Sequence, residues 1–197
     1  MSWSKKLGLA FIHIPKVAGT SIIKSLFLEP LFYGHRAYHY HPKWDDPNYT
    51  FFTIVRNPLS RAVSTYEFIK MDESSWYNKE HPHPLKKIYD NLSFSDSINV
   101  IKECLARDDT YKADVWYPQY RWISDTKKNL MVENILRFEN LQEDLNQFLE
   151  ERNLPPTKLE FWNISKKVNH MDYYDDATLE QTYNIYKDDF ELFNYQI

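Results

Sequence analysis

Apolar residues cluster from Leu9 to Ile14, a run short enough for a buried strand. The turn Pro15-Lys16-Val17-Ala18-Gly19 follows, and beyond Thr20 and Ser21 the apolar positions Ile22, Ile23, Leu26 and Phe27 recur at helical spacing. The pattern predicts strand, tight turn, helix. Leu31-Phe32-Tyr33 suits a second short strand, and Thr50 to Val55, β-branched and aromatic throughout, a central buried one. Asn57-Pro58 breaks that strand and opens a helix, because proline is tolerated in a first turn; Leu59, Ala62, Val63, Tyr66 and Ile69 form its apolar face. Ser95 to Arg107 reads as a further helix with Ile98, Ile101 and Leu105 inward, and Val132 to Phe138 as a strand interrupted by Glu133 and Asn134. A clearer helix carries Leu141, Leu145, Phe148 and Leu149, and Asp175 or Asp176 can cap a last one built on Leu179, Tyr183 and Tyr186. Strands alternating with helices predict an α/β fold of three layers, a central mainly parallel sheet covered on both faces.

Between these elements, residues 36–48 form a polar, aromatic, proline-broken loop, and residues 71–91 a loop or lid with a short helical piece, in which His81 and His83 are expected to be solvated. A length of 197 residues suits a single domain over 1–197. The formal charge of -4 argues against a surface that coats a nucleic acid polymer, so any anion must be held by placed residues. The sole cysteine, Cys104, excludes an internal disulfide and a cysteine-based metal site, and suits a small buried position. No run approaches the eighteen apolar residues that span a bilayer, and no apolar leader opens the chain, so a cytoplasmic protein is expected.

The chemistry concentrates where strands end. A turn joining strand to helix gathers backbone N–H groups, the positive end of a helix, Lys16 and the hydroxyls of Thr20 and Ser21 around one point, the arrangement that holds phosphate or sulfate oxygens. It is P-loop-like without being a Walker loop, since Lys16 comes three residues before Gly19 and not directly before the hydroxyl. An ordinary connection ending in a capping threonine fits the same residues. Arg56 leaves the next strand, and Arg61 and Ser64 share a face of the following helix, a second candidate anion site; solvated or carboxylate-paired arginines are the plainer reading. His35 follows Gly34 at the expected end of the second strand, where active-site loops gather in α/β proteins. His39 and His41 invite a metal reading, but no further ligand of suitable spacing follows, so no metal is expected. Trp116 to Ile123 interleaves aromatics with Gln119 and Arg121, fit either to stack and hydrogen-bond a base or sugar, or to form a packed connection.

With these residues in view, the chain resembles the sulfotransferases that use 3'-phosphoadenosine 5'-phosphosulfate (PAPS), most closely the branch of heparan 2-O- and chondroitin-type carbohydrate sulfotransferases. HIPKVAGTS resembles that branch's 5'-phosphosulfate loop and IVRNPLSRAVSTY its 3'-phosphate strand and helix; YGH, PQYRW, RFENLQEDL, KVNHM and IYKDDFELFNY extend the likeness from Phe11 to Tyr195. The resemblance implies that Lys16, with Val17, Ala18, Gly19, Thr20 and Ser21, contacts the phosphosulfate, and that Arg56 and Ser64 hold the 3'-phosphate with Arg61 assisting. Arg121 is counted among the donor contacts, and His35 is the base, with His39 or His41 as substitutes. It implies PAPS as donor, 3'-phosphoadenosine 5'-phosphate (PAP) as product, no metal, and an acceptor hydroxyl on a carbohydrate, glycolipid or other small molecule. The chain departs from Golgi members in lacking their membrane anchor and disulfides, and its acidic balance disfavours a polyanionic acceptor. Two other readings are a nucleotide kinase or NTPase and a noncatalytic nucleotide- or glycan-binding module.

Overall fold

The computed structural model describes residues 2–26, 28–30, 46–74, 77–106, 114–160 and 169–197. It divides into two compact units, one formed by Met1–Arg56 with Gln119–Trp162 and the other by Asn57–Pro118 with Asn163–Ile197.

The first unit is organised on a sheet of β1 (Ser2–Ser4), β2 (Leu9–Ile12), β3 (Glu29–Pro30), β4 (Thr50–Val55) and β5 (Asn134–Arg137), in the spatial order β3-β1-β2-β4-β5. β2, β4 and β5 run parallel, with Ile12 opposite Thr53 and Val55 opposite Arg137. β1 and β3 add an antiparallel margin. The fold is therefore α/β with a mainly parallel central sheet, as the alternation of elements predicts. Leu9 to Ile12 are buried at every position, as are Thr53 to Val55, which is why these strands read as continuous apolar runs rather than alternating ones. β1 has the opposite signature: Ser2 and Ser4 point inward and Trp3 is only half-buried, so hydropathy alone conceals it. Gly8, at φ +64°, turns the chain from β1 back into β2.

Between β2 and β4 lies α1 (Gly19–Ser25), and after β5 comes α5 (Leu141–Glu150). Phe148 of α5 meets Phe52 of β4 with ring centroids 4.9 Å apart, and Phe52 meets Phe11 of β2 at 5.0 Å. These three rings fasten helix to sheet. Because the three parallel strands share a direction, residues leaving β2, β4 and β5 emerge at one edge of the sheet: His13 onward, Arg56 and Phe138. The strand expected over Leu31–Tyr33 lies outside the described residues.

The second unit is helical: α2 (Pro58–Lys70), α3 (Lys86–Tyr89), α4 (Phe94–Ala106), α6 (Asp176–Ile185) and α7 (Lys187–Leu192). Asn57 caps α2 by accepting from the N–H groups of Leu59 and Ser60, and Asp175 caps α6 by accepting from Thr178 N–H at 2.8 Å. The expected face of α2 packs into a core with Phe94, Ile98, Trp116, Tyr186 and Phe190. Within the stretch predicted as loop or lid, α3 supplies the short helical piece. His83 there is not solvated: it is buried against Tyr77 and Phe68, and its Nδ1 accepts from Leu85 N–H at 3.1 Å. Its neighbour His81 is exposed, as expected.

Phe52 is fully buried between Phe11 and Phe148, so Phe52→Ala removes a ring on which both sheet and helix depend. The variant is expected to lose about 3–5 kcal/mol of unfolding free energy, read from urea unfolding curves.

Candidate active site

The turn after β2 is held by apolar anchors and by unusual backbone. Ile14 and Val17 are fully buried, which ties both limbs of the turn to the interior. Lys16 and Ala18 both adopt left-handed backbone at φ +67°, a conformation that side-chain-bearing residues take only when their surroundings enforce it. Ala18 is the N-cap residue of α1 and offers no side-chain cap, so the first N–H groups of this helix are left to other partners. Turns that alternate in this way gather N–H groups into an anion-binding concavity.

Gly19 serves the turn through space, not through its dihedral angle. A Cβ built there would collide with the imidazole of His13. That ring stacks on Phe11 at 5.6 Å with an interplanar angle of 24°, and Phe11 is fixed in turn by Phe52. The missing Cβ therefore lets the Nε2 side of a strand-end histidine approach the start of α1 closely. Ser21 is buried and Thr20 half-buried in the first turn of that helix.

Arg56 reaches the same turn from the end of β4. Its Nη1 donates to the Lys16 carbonyl at 3.3 Å, and its guanidinium lies over the Phe138 ring, 4.1 Å from the centroid. Its own main chain is bracketed by Gln119, whose Oε1 accepts from Arg56 N–H at 2.9 Å and whose Nε2 donates to the Arg56 carbonyl at 2.8 Å. The Thr53 hydroxyl, donating to the Ile12 carbonyl at 2.8 Å, ties the ends of β2 and β4 together just below. Lys16 is half-buried by area, but its ammonium is desolvated. Burial first, and the repulsion of the Arg56 guanidinium second, together lower its pKa from 10.5 to about 7. Two cations are thus brought to one turn at the carboxyl edge of the sheet, an arrangement an entering anion relieves.

The remaining predicted residues stand on other elements or outside the described residues. Arg121 is exposed on a 3-10 turn of the first unit. Arg61 and Ser64 belong to α2 in the second unit, where both are buried. Arg61 is only 1% exposed, and its Nη2 donates to the carbonyls of Tyr117 at 2.8 Å and Val115 at 3.2 Å. Burial lowers its pKa, opposed by the nearby Tyr186 and Asp189. In that setting Arg61 organises the second unit's interior, and the assignment of Ser64 to the donor rests on resemblance alone. His35, His39 and His41 lie outside the described residues. Among the described residues there is no cluster of three or more His, Cys, Asp or Glu able to hold a metal, and no helix long and apolar enough to cross a membrane.

Sequence reasoning placed Gln119 among candidate base or sugar contacts, whereas it is fully buried and engages Arg56. Trp116 and Trp122 are buried as well, so for these three side chains the packed alternative describes the stretch. A histidine inside an apolar run, as His13 is, carries no sequence signal; its contact with Gly19 shows its place in the turn. A model of the sulfotransferase family matches residues 2–196. The chain belongs to the sulfotransferase family. No curated protein and no solved structure matches it. The sulfotransferase match spans both units and contains the Lys16 turn, Arg56 and Gln119.

Two measurements check this geometry. In the unfolded chain Lys16 titrates near 10.5, in the folded protein near 7, so between these values the unfolded state binds the extra proton. The cost of the buried charge is fully present below pH 7 and is relieved as pH rises toward 10.5. Lys16→Met is expected to be more stable than the wild type below pH 7 and to lose that advantage across the window, as followed by urea unfolding at a series of pH values. Gly19→Ala is expected to destabilise by about 1–3 kcal/mol through overpacking against His13. In a double-mutant cycle His13→Ala should recover most of that loss.

Proposed function

We propose that this sulfotransferase moves a sulfuryl group from PAPS to a hydroxyl of a carbohydrate or another small hydroxylated acceptor. Family membership makes the chain a transferase of sulfuryl groups. What supports the donor is the convergence of Lys16 and Arg56 on a left-handed, uncapped turn, a fit for a ligand that carries several phosphate and sulfate oxygens. Bound there, the donor supplies an activated sulfur–oxygen bond whose breaking releases PAP.

The protein's own groups have separable tasks. Lys16, in its ammonium form, neutralises charge that accumulates on the 5'-phosphate side as the bond to sulfur breaks. The N–H groups at the start of α1, with Thr20 and Ser21 beside them, orient the oxygens of the transferring group. Arg56 is assigned the 3'-phosphate, and its guanidinium is held for that purpose on Phe138. His35 is the proposed base, taking the acceptor's proton as oxygen bonds to sulfur; His39 and His41 are its possible replacements. The acidic balance of the chain favours a neutral acceptor, of which sugars and glycolipids are the proposed class.

Calorimetry with PAP, ADP and ATP in the presence of a chelator tests the donor. PAP is expected to bind without magnesium at least about tenfold more tightly than ADP, the order of one charge-assisted contact to the 3'-phosphate. Equal affinities would overturn the PAPS reading and favour the kinase or NTPase alternative. Sulfated products from a panel of sugars and glycolipids are then read by mass spectrometry. Lys16→Ala and His35→Ala are each expected to lower turnover by roughly 10²-fold or more, and undiminished transfer in both would sink the assignment. Tight PAP binding with no transfer to any acceptor, in the wild type, points to a noncatalytic module.

A further inference from the structure

The chain leaves the first unit after Arg56 and re-enters it at Gln119, and at that point the two residues are locked together. The lock is a reciprocal pair of hydrogen bonds, Arg56 N–H to Gln119 Oε1 at 2.9 Å and Gln119 Nε2 to the Arg56 carbonyl at 2.8 Å, across 63 positions of sequence. β4 ends at Val55, where it pairs with Arg137 of β5, so Arg56 is the first residue beyond the ladder. A side-chain amide presents an N–H donor and a carbonyl acceptor side by side along one edge, the pair that the C=O and N–H of one strand residue require. Gln119 thus continues strand-like pairing for one residue past the end of β4. Its side chain is fully buried, and losing either bond would leave a part-buried main-chain group of Arg56 without that partner.

The consequence runs through Arg56. With its main chain fixed on one side by Gln119, its guanidinium is laid over Phe138 and one nitrogen is directed to the Lys16 carbonyl. We infer that Gln119 is a positioning residue for donor binding: it holds the backbone of Arg56 so that the guanidinium meets the donor's phosphate in a fixed orientation. This rests on the reading of Arg56 as a donor contact. An arginine at a free strand end must lose several rotatable freedoms on binding; one pinned at its main chain and stacked on a ring has already lost them, and more of the contact energy appears as affinity.

A double-mutant cycle on PAP affinity, measured by calorimetry on the full chain, tests the inference. Gln119→Leu, which keeps the bulk and removes both bonds, is expected to weaken PAP binding by roughly tenfold or more. In an Arg56→Ala background the same substitution is expected to cost no further affinity, because its effect passes through the guanidinium. A merely structural glutamine would cost the same in both backgrounds, and that result overturns the inference, as does wild-type affinity in a folded Gln119→Leu protein. Failure of the donor reading looks different: the wild type does not bind PAP, or Arg56→Ala binds it as the wild type does. Should Gln119→Leu not fold, Gln119→Glu replaces it. Its carboxylate accepts from Arg56 N–H but donates to the carbonyl only when protonated. The ratio of variant to wild-type affinity is expected to rise as pH falls, and a flat ratio overturns the inference.

Discussion

Holding two positive charges against one short turn is the constraint on which the first unit depends. Lys16 is desolvated and Arg56 reaches its carbonyl, and each raises the cost of the other. An arrangement of this kind persists only if the surroundings over-determine it. Here they do so at several levels: parallel strands deliver both residues to one edge, Thr53 ties the strand ends, Phe138 carries the guanidinium, and Gln119 fixes its backbone. The left-handed residues at Lys16 and Ala18 belong to the same compromise, since Ile14 and Val17 are buried and leave the turn little choice of path.

Buried charge is used differently in the second unit. Arg61 is more deeply buried than Lys16 or Arg56, but its guanidinium is spent on the carbonyls of Val115 and Tyr117, with Asp189 and Tyr186 close enough to oppose the fall in its pKa. A buried cation that donates to main-chain carbonyls helps to organise its surroundings, and removing it would strand those carbonyls. A cation half-buried beside another cation is a reservoir of unfavourable energy that a ligand can release. The two arginines stand five positions apart in sequence, and only their surroundings tell them apart.

The long periodic elements were legible because burial alone shapes them. Thr50–Val55 and the helix beginning at Pro58 lie where the apolar pattern puts them, and the caps at Asn57 and Asp175 follow from side chains that outcompete water for helix-end N–H groups. β1 was illegible because its inward residues are serines. Gly19 was legible as part of the anion-binding turn, but its neighbour was not: the residue makes room for His13. Gln119 was misread for a related cause. A glutamine among aromatics looks like a ligand contact, and the strand end that consumes its amide lies 63 positions away. The family's motifs marked Lys16 and Arg56 by role, while Gln119 and Phe138, which hold Arg56, stand in the PQYRW and RFENLQEDL stretches whose long-range contacts the sequence does not display.

Energetics also explain why the lysine stands where it does. In a Walker loop the lysine follows the glycine-rich bend and projects from the helix start, whereas Lys16 sits within the bend itself, on left-handed backbone three residues before Gly19. Placed there it is desolvated before any ligand arrives, and with a pKa of about 7 it exists near neutral pH as a mixture of ammonium and amine. An anion entering the turn favours the ammonium and offsets the repulsion from Arg56, so anion binding and proton uptake become one equilibrium above pH 7. On the proposed reading the turn discriminates by charge. A ligand with too little negative charge leaves the two cations as costly as before, and one bearing several anionic oxygens relieves both at once.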